Sequence, residues 1–238
     1  SSKGWDRFNG TERHTDFPDK FPCLYLLHGF SGDYFSWLSG TNIEEYAYQN
    51  QMAVVMPSGY NSAYTDMVYG MNCSEFLTKE LPEFVERMFP VSSEKKDRFI
   101  AGFSMGGYGA MMNGLNHPDI YDAAVSFSGT LNVEARLNGQ TNSSPSLTRG
   151  IYGDPPVIQK DTQDIFYMLE MAKKNGTELP RIFACCGTED DRAYPRFQML
   201  KECCKKYDIP AVLEEGPGVH SYGFCNQWLP RVMEWLKN

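Results

Sequence analysis

A serine framed by two glycines is the pattern in this chain best suited to covalent chemistry. In the segment Gly102-x-Ser104-x-Gly106, the serine follows a short apolar run and precedes a stretch rich in small residues. This order predicts a strand, a sharp turn and a helix, with the hydroxyl exposed at the turn. Such a hydroxyl acts as a nucleophile when a base lies beside it. A glycine-rich turn without chemistry is the plainer interpretation, and the strand and helix signals on either side argue against it.

The base for this serine must be found among four histidines. His14 lies in a polar segment without periodicity, and His117 stands before a proline at the expected end of a helix. His28 follows the first predicted strand, where we expect it to brace the loop. His220 lies in a glycine-rich loop between the last predicted strand and the last helix. Ligands bind outside the carboxyl ends of strands in open parallel sheets, so we predict that His220 is the base.

A catalytic histidine needs a carboxylate that holds one tautomer and balances its charge. Three acidic residues, Glu189, Asp190 and Asp191, follow the apolar run at residues 182–186. The order serine, acid, histidine along the chain is the order expected for this type of turn. We predict that Asp190 is the acid, with Asp191 as the alternative, and we interpret the remaining acids as a solvated turn.

Two backbone N–H groups are predicted to bind the oxyanion that forms during acyl transfer. One is the N–H of Met105, at the start of the helix. The other comes from the loop after the first strand, where the N–H of Phe30 is the candidate, with Ser31 behind it. The side chains that could line a substrate pocket are Phe30, Ser31, Phe35, Trp37, Tyr64, Met105, Tyr222 and Trp228. Aromatic side chains pack in cores more often than they line pockets, and we expect core packing at least for Trp228.

Strand and helix signals alternate along the chain, which predicts an α/β fold with a doubly wound, mostly parallel sheet flanked by helices. The predicted strands are short apolar runs at residues 23–27, 52–56, 98–101, 123–127, 182–186 and 211–213. A helical pattern around residues 77–88 is interrupted by Pro82, so we expect a kink or restart near Leu81. We predict a single domain over 1–238, with an irregular lead-in at 1–22 and a loop or cap insertion at 129–161.

Composition limits the classes of partner. Hydrophobic residues make up 42% of the chain, charged residues 22%, and the net charge is −8. The negative charge disfavours nucleic acid, and no apolar run approaches the roughly 20 residues of a membrane helix. The seven cysteines show no C-x-x-C spacing, so we expect reduced thiols, a cytoplasmic setting and no metal or cofactor. Secretion stays an alternative because the chain begins at Ser1, and a homo-oligomer is also left open.

Taken together, six motifs resemble the esterase D branch of the α/β-hydrolases. They are Leu-Tyr-Leu-Leu-His-Gly at 24–29, Ser-Trp at 36–37, Glu-Leu-Pro at 80–82, Ala-Gly-Phe-Ser-Met-Gly-Gly-Tyr-Gly-Ala at 101–110, Cys-Gly-Thr-Glu-Asp at 186–190 and Pro-Gly-x-His at 217–220. That branch includes tributyrin and acetyl esterases, feruloyl esterases, S-formylglutathione hydrolases and mycolyltransferases. The resemblance implies an α/β-hydrolase fold with Ser104 as nucleophile, Asp190 as acid, His220 as base, and the Phe30 and Met105 backbones as oxyanion donors.

The resemblance also implies a serine carboxylesterase acting on short acyl esters, acetyl to butyryl. Feruloyl esters and acetylated carbohydrates are further candidates. The loop at 60–71 lacks the Trp- and Gly-rich pattern of S-formylglutathione hydrolases, which favours carboxylic esters over thioesters. The segment 129–161 looks too polar for a lid that acts at lipid interfaces. An acyltransferase or a thioesterase with the same three residues stays open, and a non-catalytic binding module is the least favoured alternative.

Family members usually begin with antiparallel strands before the first parallel strand. Residues 1–22 of this chain contain four glycines or prolines, Gly4, Gly10, Pro18 and Pro22, and no convincing strand signal. We therefore expect the chain to depart from the family pattern at this end.

Overall fold

A six-stranded parallel sheet forms the centre of the molecule in a computed structural model that describes residues 17–138 and 143–238. The strands β1 to β6 are Cys23–Leu27, Ala53–Val55, Arg98–Phe103, Ala123–Phe127, Arg181–Gly187 and Val212–Gly216. They lie in the order β2-β1-β3-β4-β5-β6, and each pair of neighbours is parallel. The predicted parallel strands are therefore confirmed.

Helices follow the strands along the chain. The helices α1 to α11 are Ser36–Gly40, Ile43–Asn50, Cys73–Glu75, Leu81–Met88, Met105–Asn116, Glu134–Leu137, Pro145–Tyr152, Lys160–Gln163, Ile165–Asn175, Tyr194–Tyr207 and Tyr222–Lys237. A π-helical turn at Phe76–Glu80 joins α3 to α4, and a 3₁₀ turn at Lys95–Asp97 precedes β3. Each crossover between parallel strands carries at least one of these helices, as parallel pairing requires.

The sheet buries both of its faces, because alternate residues of a strand point to opposite sides. On one face, Tyr25 and Ile100 pack in a core that includes residues of α5, α9 and α10. On the other face, Leu26 and Phe99 pack in a second core with α1, α2 and α11. This arrangement is the doubly wound, mostly parallel sheet that the alternation of elements predicts.

The helix before β3 changes its geometry at the proline. A proline lacks an N–H and clashes with the carbonyl four residues earlier in a regular helix. The wider turn at Phe76–Glu80 accommodates that clash, and α4 begins at Leu81 with Pro82 in its first turn. The predicted restart near Leu81 is confirmed.

The segment 129–161 contains more regular structure than we expected. Its described part, 129–138 and 143–161, holds helices α6, α7 and α8. Helix α7 begins after Ser144, whose hydroxyl accepts the N–H of Leu147, and Pro145 occupies its first turn. Helices of four to eight residues are too short to show a helical period in the sequence. The single domain and the cap at 129–161 stay predictions.

The structure describes the last part of the predicted lead-in and all seven cysteines. Residues 1–16 of the predicted lead-in lie outside the described residues, and Phe21 forms an isolated bridge with Val91. All seven cysteines lie in the described ranges as free thiols. Within those ranges no helix is both long and apolar enough to cross a membrane, and no three His, Cys, Asp or Glu side chains form a metal-binding group.

Candidate active site

The turn between β3 and α5 holds Ser104 in a strained conformation. Its φ of +56° and ψ of −112° lie where side-chain-bearing residues are rare. A Cβ at Gly102 would lie 2.3 Å from the Gly106 carbonyl, and a Cβ at Gly106 would lie 2.4 Å from the Leu27 carbonyl oxygen. Both positions therefore require glycine. The Ser104 N–H donates to the Phe127 carbonyl at 3.0 Å, which fixes the turn against β4.

Three side chains form a continuous hydrogen-bonded series at the carboxyl edge of the sheet. His220 Nε2 lies 2.8 Å from Ser104 Oγ, and His220 Nδ1 lies 2.6 Å from Asp190 Oδ2. The other carboxylate oxygen of Asp190 accepts the N–H groups of Arg192 at 3.1 Å and Ala193 at 2.9 Å. An ionised carboxylate only accepts hydrogen bonds, so the imidazole proton lies on Nδ1 and Nε2 faces the serine hydroxyl as an acceptor.

The side chains of Asp190 and His220 differ in how far they are buried. The side chain of Asp190 is fully buried, whereas that of His220 is 19% exposed. Burial by itself would raise the pKa of Asp190, but hydrogen bonds from His220 and from the Ala193 N–H outweigh it and lower the pKa of the carboxyl. The competing acids Glu189 and Asp191 are exposed to solvent. The structure therefore places Asp190, rather than its neighbours, against the imidazole.

An aromatic ring that the sequence did not single out packs against the histidine. The ring of Phe103 lies 4.7 Å from the ring of His220 and 4.7 Å from the ring of Tyr222, both measured between centroids. Phe103 occupies the variable position between the first glycine and the serine of the turn. An aromatic residue beside the serine of the turn was the signal available in the sequence.

His28 braces the loop after β1, as we expected from its position. Its Nε2 accepts the N–H of Gly59 at 2.9 Å, and its Nδ1 donates to the Gly29 carbonyl oxygen at 2.7 Å. These partners select the neutral tautomer that carries its proton on Nδ1. Burial lowers the pKa of His28, which agrees with a neutral ring.

Two of the predicted pocket residues are core residues instead. Trp37 and Tyr64 are completely buried. The Trp37 indole N–H donates to the Leu27 carbonyl at 2.9 Å, and the Tyr64 hydroxyl donates to the His28 carbonyl at 3.0 Å. A buried aromatic residue with a polar atom needs such a partner, and the carbonyl groups of the loop supply it. The prediction that these two side chains line a pocket is therefore wrong.

The other predicted positions differ in exposure, and Met105 is buried in the core. Ser31 is exposed, and its N–H donates to Asn61 Oδ1 at 2.7 Å. Tyr222 and Phe30 are half-buried. Met105 begins α5, and the first N–H groups of a helix have no acceptor within it. The oxyanion role of the Phe30 and Met105 N–H groups, and the pocket role of Ser31 and Tyr222, stay predictions.

The parallel sheet, its order and the strained serine turn at its carboxyl edge define a protein of the α/β-hydrolase class. A family model described as "Putative esterase" matches residues 14–228, and the chain belongs to this family. The acetyl esterase of Caldicellulosiruptor saccharolyticus is 32% identical over 229 residues, which are 92% of this chain and 84% of that protein.

Two solved structures from Staphylococcus aureus agree with this assignment. The substrate-bound fluorophosphonate-binding serine hydrolase F has a TM-score of 0.85 at 27% identity, covering 100% of this chain and 97% of its own. The S-formylglutathione hydrolase has a TM-score of 0.82 at 30% identity, covering 92% and 85%. The protein is a serine carboxylic-ester hydrolase, and the predicted resemblance to the esterases of this fold is confirmed.

Proposed function

We propose that the protein hydrolyses short acyl esters of soluble alcohols through an acyl-enzyme on Ser104, with His220 as the base and Asp190 as its partner. The observation that carries this proposal is the unbroken series of hydrogen bonds from Ser104 Oγ through the imidazole to the buried carboxylate. A histidine in the Nδ1–H tautomer beside a serine hydroxyl is arranged to accept the hydroxyl proton.

The reaction then has two balanced steps. In the first, Ser104 Oγ attacks the ester carbonyl as its proton passes to His220 Nε2, and the N–H groups of Phe30 and Met105 bind the oxyanion. The imidazole returns the proton to the leaving alcohol, which leaves an acyl group on the serine. In the second, water attacks that acyl group as its proton passes to the imidazole, which returns the proton to Ser104 Oγ as the carboxylic acid is released. Asp190 stays ionised throughout and balances the imidazolium charge.

The packing of the segment 129–161 supports a short acyl group and a soluble substrate. Within its described part, Leu131, Val133, Ile151 and Tyr152 are buried. Val157 is the one large apolar side chain of that part that is exposed. Enzymes that act at lipid interfaces present a broad apolar surface, which this part of the chain does not offer. The acetyl esterase among the relatives points to the same class of substrate.

Aromatic side chains on two neighbouring loops support aromatic or carbohydrate esters as a secondary class. Tyr34 and Phe35 follow β1, Tyr60 follows β2, and each is more than half exposed. The two loops are joined where the Tyr34 N–H donates to Ser58 Oγ at 3.1 Å. Exposed rings on two joined loops offer flat surfaces for stacking of a phenolic acid or a sugar.

The proposal is tested with p-nitrophenyl acetate, butyrate and octanoate and with methyl ferulate, with and without an added alcohol acceptor. We expect acetyl and butyryl esters to give the highest kcat/KM, a steep fall by octanoyl, and no rise in rate at the micelle threshold. Ser104→Ala should abolish all of these rates while the protein stays folded. A preference for octanoyl esters would contradict the substrate class, and transfer of the acyl group to the acceptor in place of hydrolysis would contradict the reaction.

A further inference from the structure

The backbone after β1 is held by side chains from four parts of the chain. Trp37 binds the Leu27 carbonyl, Tyr64 binds the His28 carbonyl, and the His28 ring binds the Gly29 carbonyl. The fourth contact involves a donor rather than an acceptor, because the Gly29 N–H donates to the Tyr222 hydroxyl oxygen at 3.1 Å. Such dense bracing of three consecutive residues indicates that the orientation of the next peptide group is fixed.

The contact at Gly29 decides which N–H of the loop is left for a ligand. Gly29 and Phe30 follow His28, whose carbonyl oxygen would lie 2.6 Å from a Cβ at Gly106 in the serine turn. We propose that Tyr222 is a positioning residue for the oxyanion, whose hydroxyl engages the Gly29 N–H and thereby leaves the Phe30 N–H directed at the substrate carbonyl. This inference rests on the proposed function, and it gives Tyr222 a role different from the pocket lining that the sequence predicts.

The ring of Tyr222 is itself held rigidly. Its centroid lies 5.2 Å from that of Trp37 and 4.7 Å from that of Phe103. Helix α1 makes room for it with a glycine, because a Cβ at Gly40 would lie 2.6 Å from the Cβ of Tyr222. Since Phe103 also packs on the ring of His220, one aromatic cluster supports both the oxyanion loop and the base.

The chemistry of a phenol suits this role. The oxygen accepts the Gly29 N–H and keeps its own proton for a further acceptor, so the contact adds no charge beside a developing oxyanion. Burial raises the pKa of Tyr222, which keeps the hydroxyl neutral. Phenylalanine in its place would preserve the ring contacts and leave the Gly29 N–H free to compete with the Phe30 N–H.

The test compares Tyr222→Phe with wild type in kinetics and in binding of a short alkyl boronic acid, which forms a tetrahedral adduct on a serine. We expect kcat to fall by roughly tenfold to a hundredfold, because small displacements of an oxyanion donor cost that much. KM should stay within about twofold, and the inhibition constant of the boronic acid should rise by the same factor as kcat falls.

A matched control separates this effect from general loss of a buried hydroxyl. Tyr121 is fully buried, and its hydroxyl donates to the Leu77 carbonyl at 2.7 Å on a different element. Tyr121→Phe should lower thermal stability without changing kcat or boronic acid affinity. A second variant, Gly40→Ala, displaces the Tyr222 side chain without removing its oxygen and should reproduce the loss in kcat.

Amide exchange in the wild-type protein gives a measurement that needs no variant to fold. The Gly29 amide should exchange slowly and the Phe30 amide rapidly, and the boronic acid should slow exchange at Phe30 and at Met105 while leaving Gly29 unchanged. Equal exchange at both amides, a rise in KM with unchanged kcat for Tyr222→Phe, or the same behaviour as Tyr121→Phe would overturn the inference. Failure of the proposed function looks different, because wild type would then neither hydrolyse esters nor be inhibited by the boronic acid.

Discussion

Replacing Asp190 by asparagine changes one atom of the carboxyl group and reverses the hydrogen-bond polarity at the histidine. The N–H groups of Arg192 and Ala193 hold one oxygen of the side chain, so the asparagine oxygen must stay with them. Its NH₂ group then faces His220 Nδ1, which must accept. The imidazole proton moves to Nε2 and points at the Ser104 hydroxyl. Nε2 can then no longer accept the proton of that hydroxyl. The variant therefore has the correct geometry and the wrong tautomer.

The expected magnitude follows from that loss. A triad with the wrong tautomer loses kcat by about 10⁴-fold, or about 5 kcal/mol of transition-state stabilisation. The assay is the hydrolysis of p-nitrophenyl acetate at saturation, with thermal unfolding as a check on the fold. The exposed neighbour provides the control, because Asp191→Asn should leave kcat within about threefold. A loss of less than tenfold for Asp190→Asn, or a larger loss for Asp191→Asn, would refute the assignment of the acid.

Three further predictions follow from the same contacts. Gly106→Ala should abolish activity or folding, because its Cβ would lie 2.4 Å from the Leu27 carbonyl oxygen. Gly150→Ala is the control: its Cβ would lie 3.5 Å from the nearest atom of Met67, so the melting temperature should stay unchanged or rise slightly. Equal effects of the two variants would contradict the close approach at Gly106. Because the pKa of Asp190 is lowered in the folded protein, its carboxylate stabilises the fold fully above the usual titration range of aspartate, near pH 4. This stabilisation is lost as the pH falls through the pKa of the folded state. Acid-unfolding curves of wild type and Asp190→Asn should therefore converge at low pH. The value of kcat/KM should rise with pH, because a histidine base acts in its neutral form, and a flat profile would exclude a histidine base.

The positions of the strands and of the serine turn were predictable because their signals are local. The apolar run before Gly102 and the small residues after Ser104 report a buried strand and a close turn without reference to the rest of the chain. His220 was identified by its place after the last strand, since topology puts all carboxyl ends of parallel strands at one edge.

The choice among the three acids depends on a contact between distant residues. A Cβ at Gly187 would lie 2.2 Å from the Gly218 carbonyl oxygen, and that oxygen accepts the N–H of Glu189 at 3.0 Å. This crossing of two loops directs Asp190 inward and leaves Asp191 in solvent. No local pattern encodes such a crossing, which is why the sequence left both aspartates open.

The burial of large aromatic residues was likewise not decided by local sequence. Trp37 and Tyr64 are near the site in space, but their polar atoms turn inward to the carbonyl groups of the loop after β1. Whether a ring faces a pocket or a core depends on which backbone groups lie unpaired behind it. The helices within 129–161 were not predicted for a different reason. They are too short for their apolar residues to repeat at helical spacing in the sequence.

The most direct test of the central claim is covalent labelling with a fluorophosphonate, followed by intact-mass measurement and peptide mapping. If Ser104 is the activated nucleophile, we expect one adduct per chain, located on Ser104, and a loss of ester hydrolysis in proportion to labelling. The Ser104→Ala variant should not be labelled, and Asp190→Asn should be labelled far more slowly than wild type. Full labelling at another residue, or hydrolysis that persists after Ser104 is completely modified, would contradict the account.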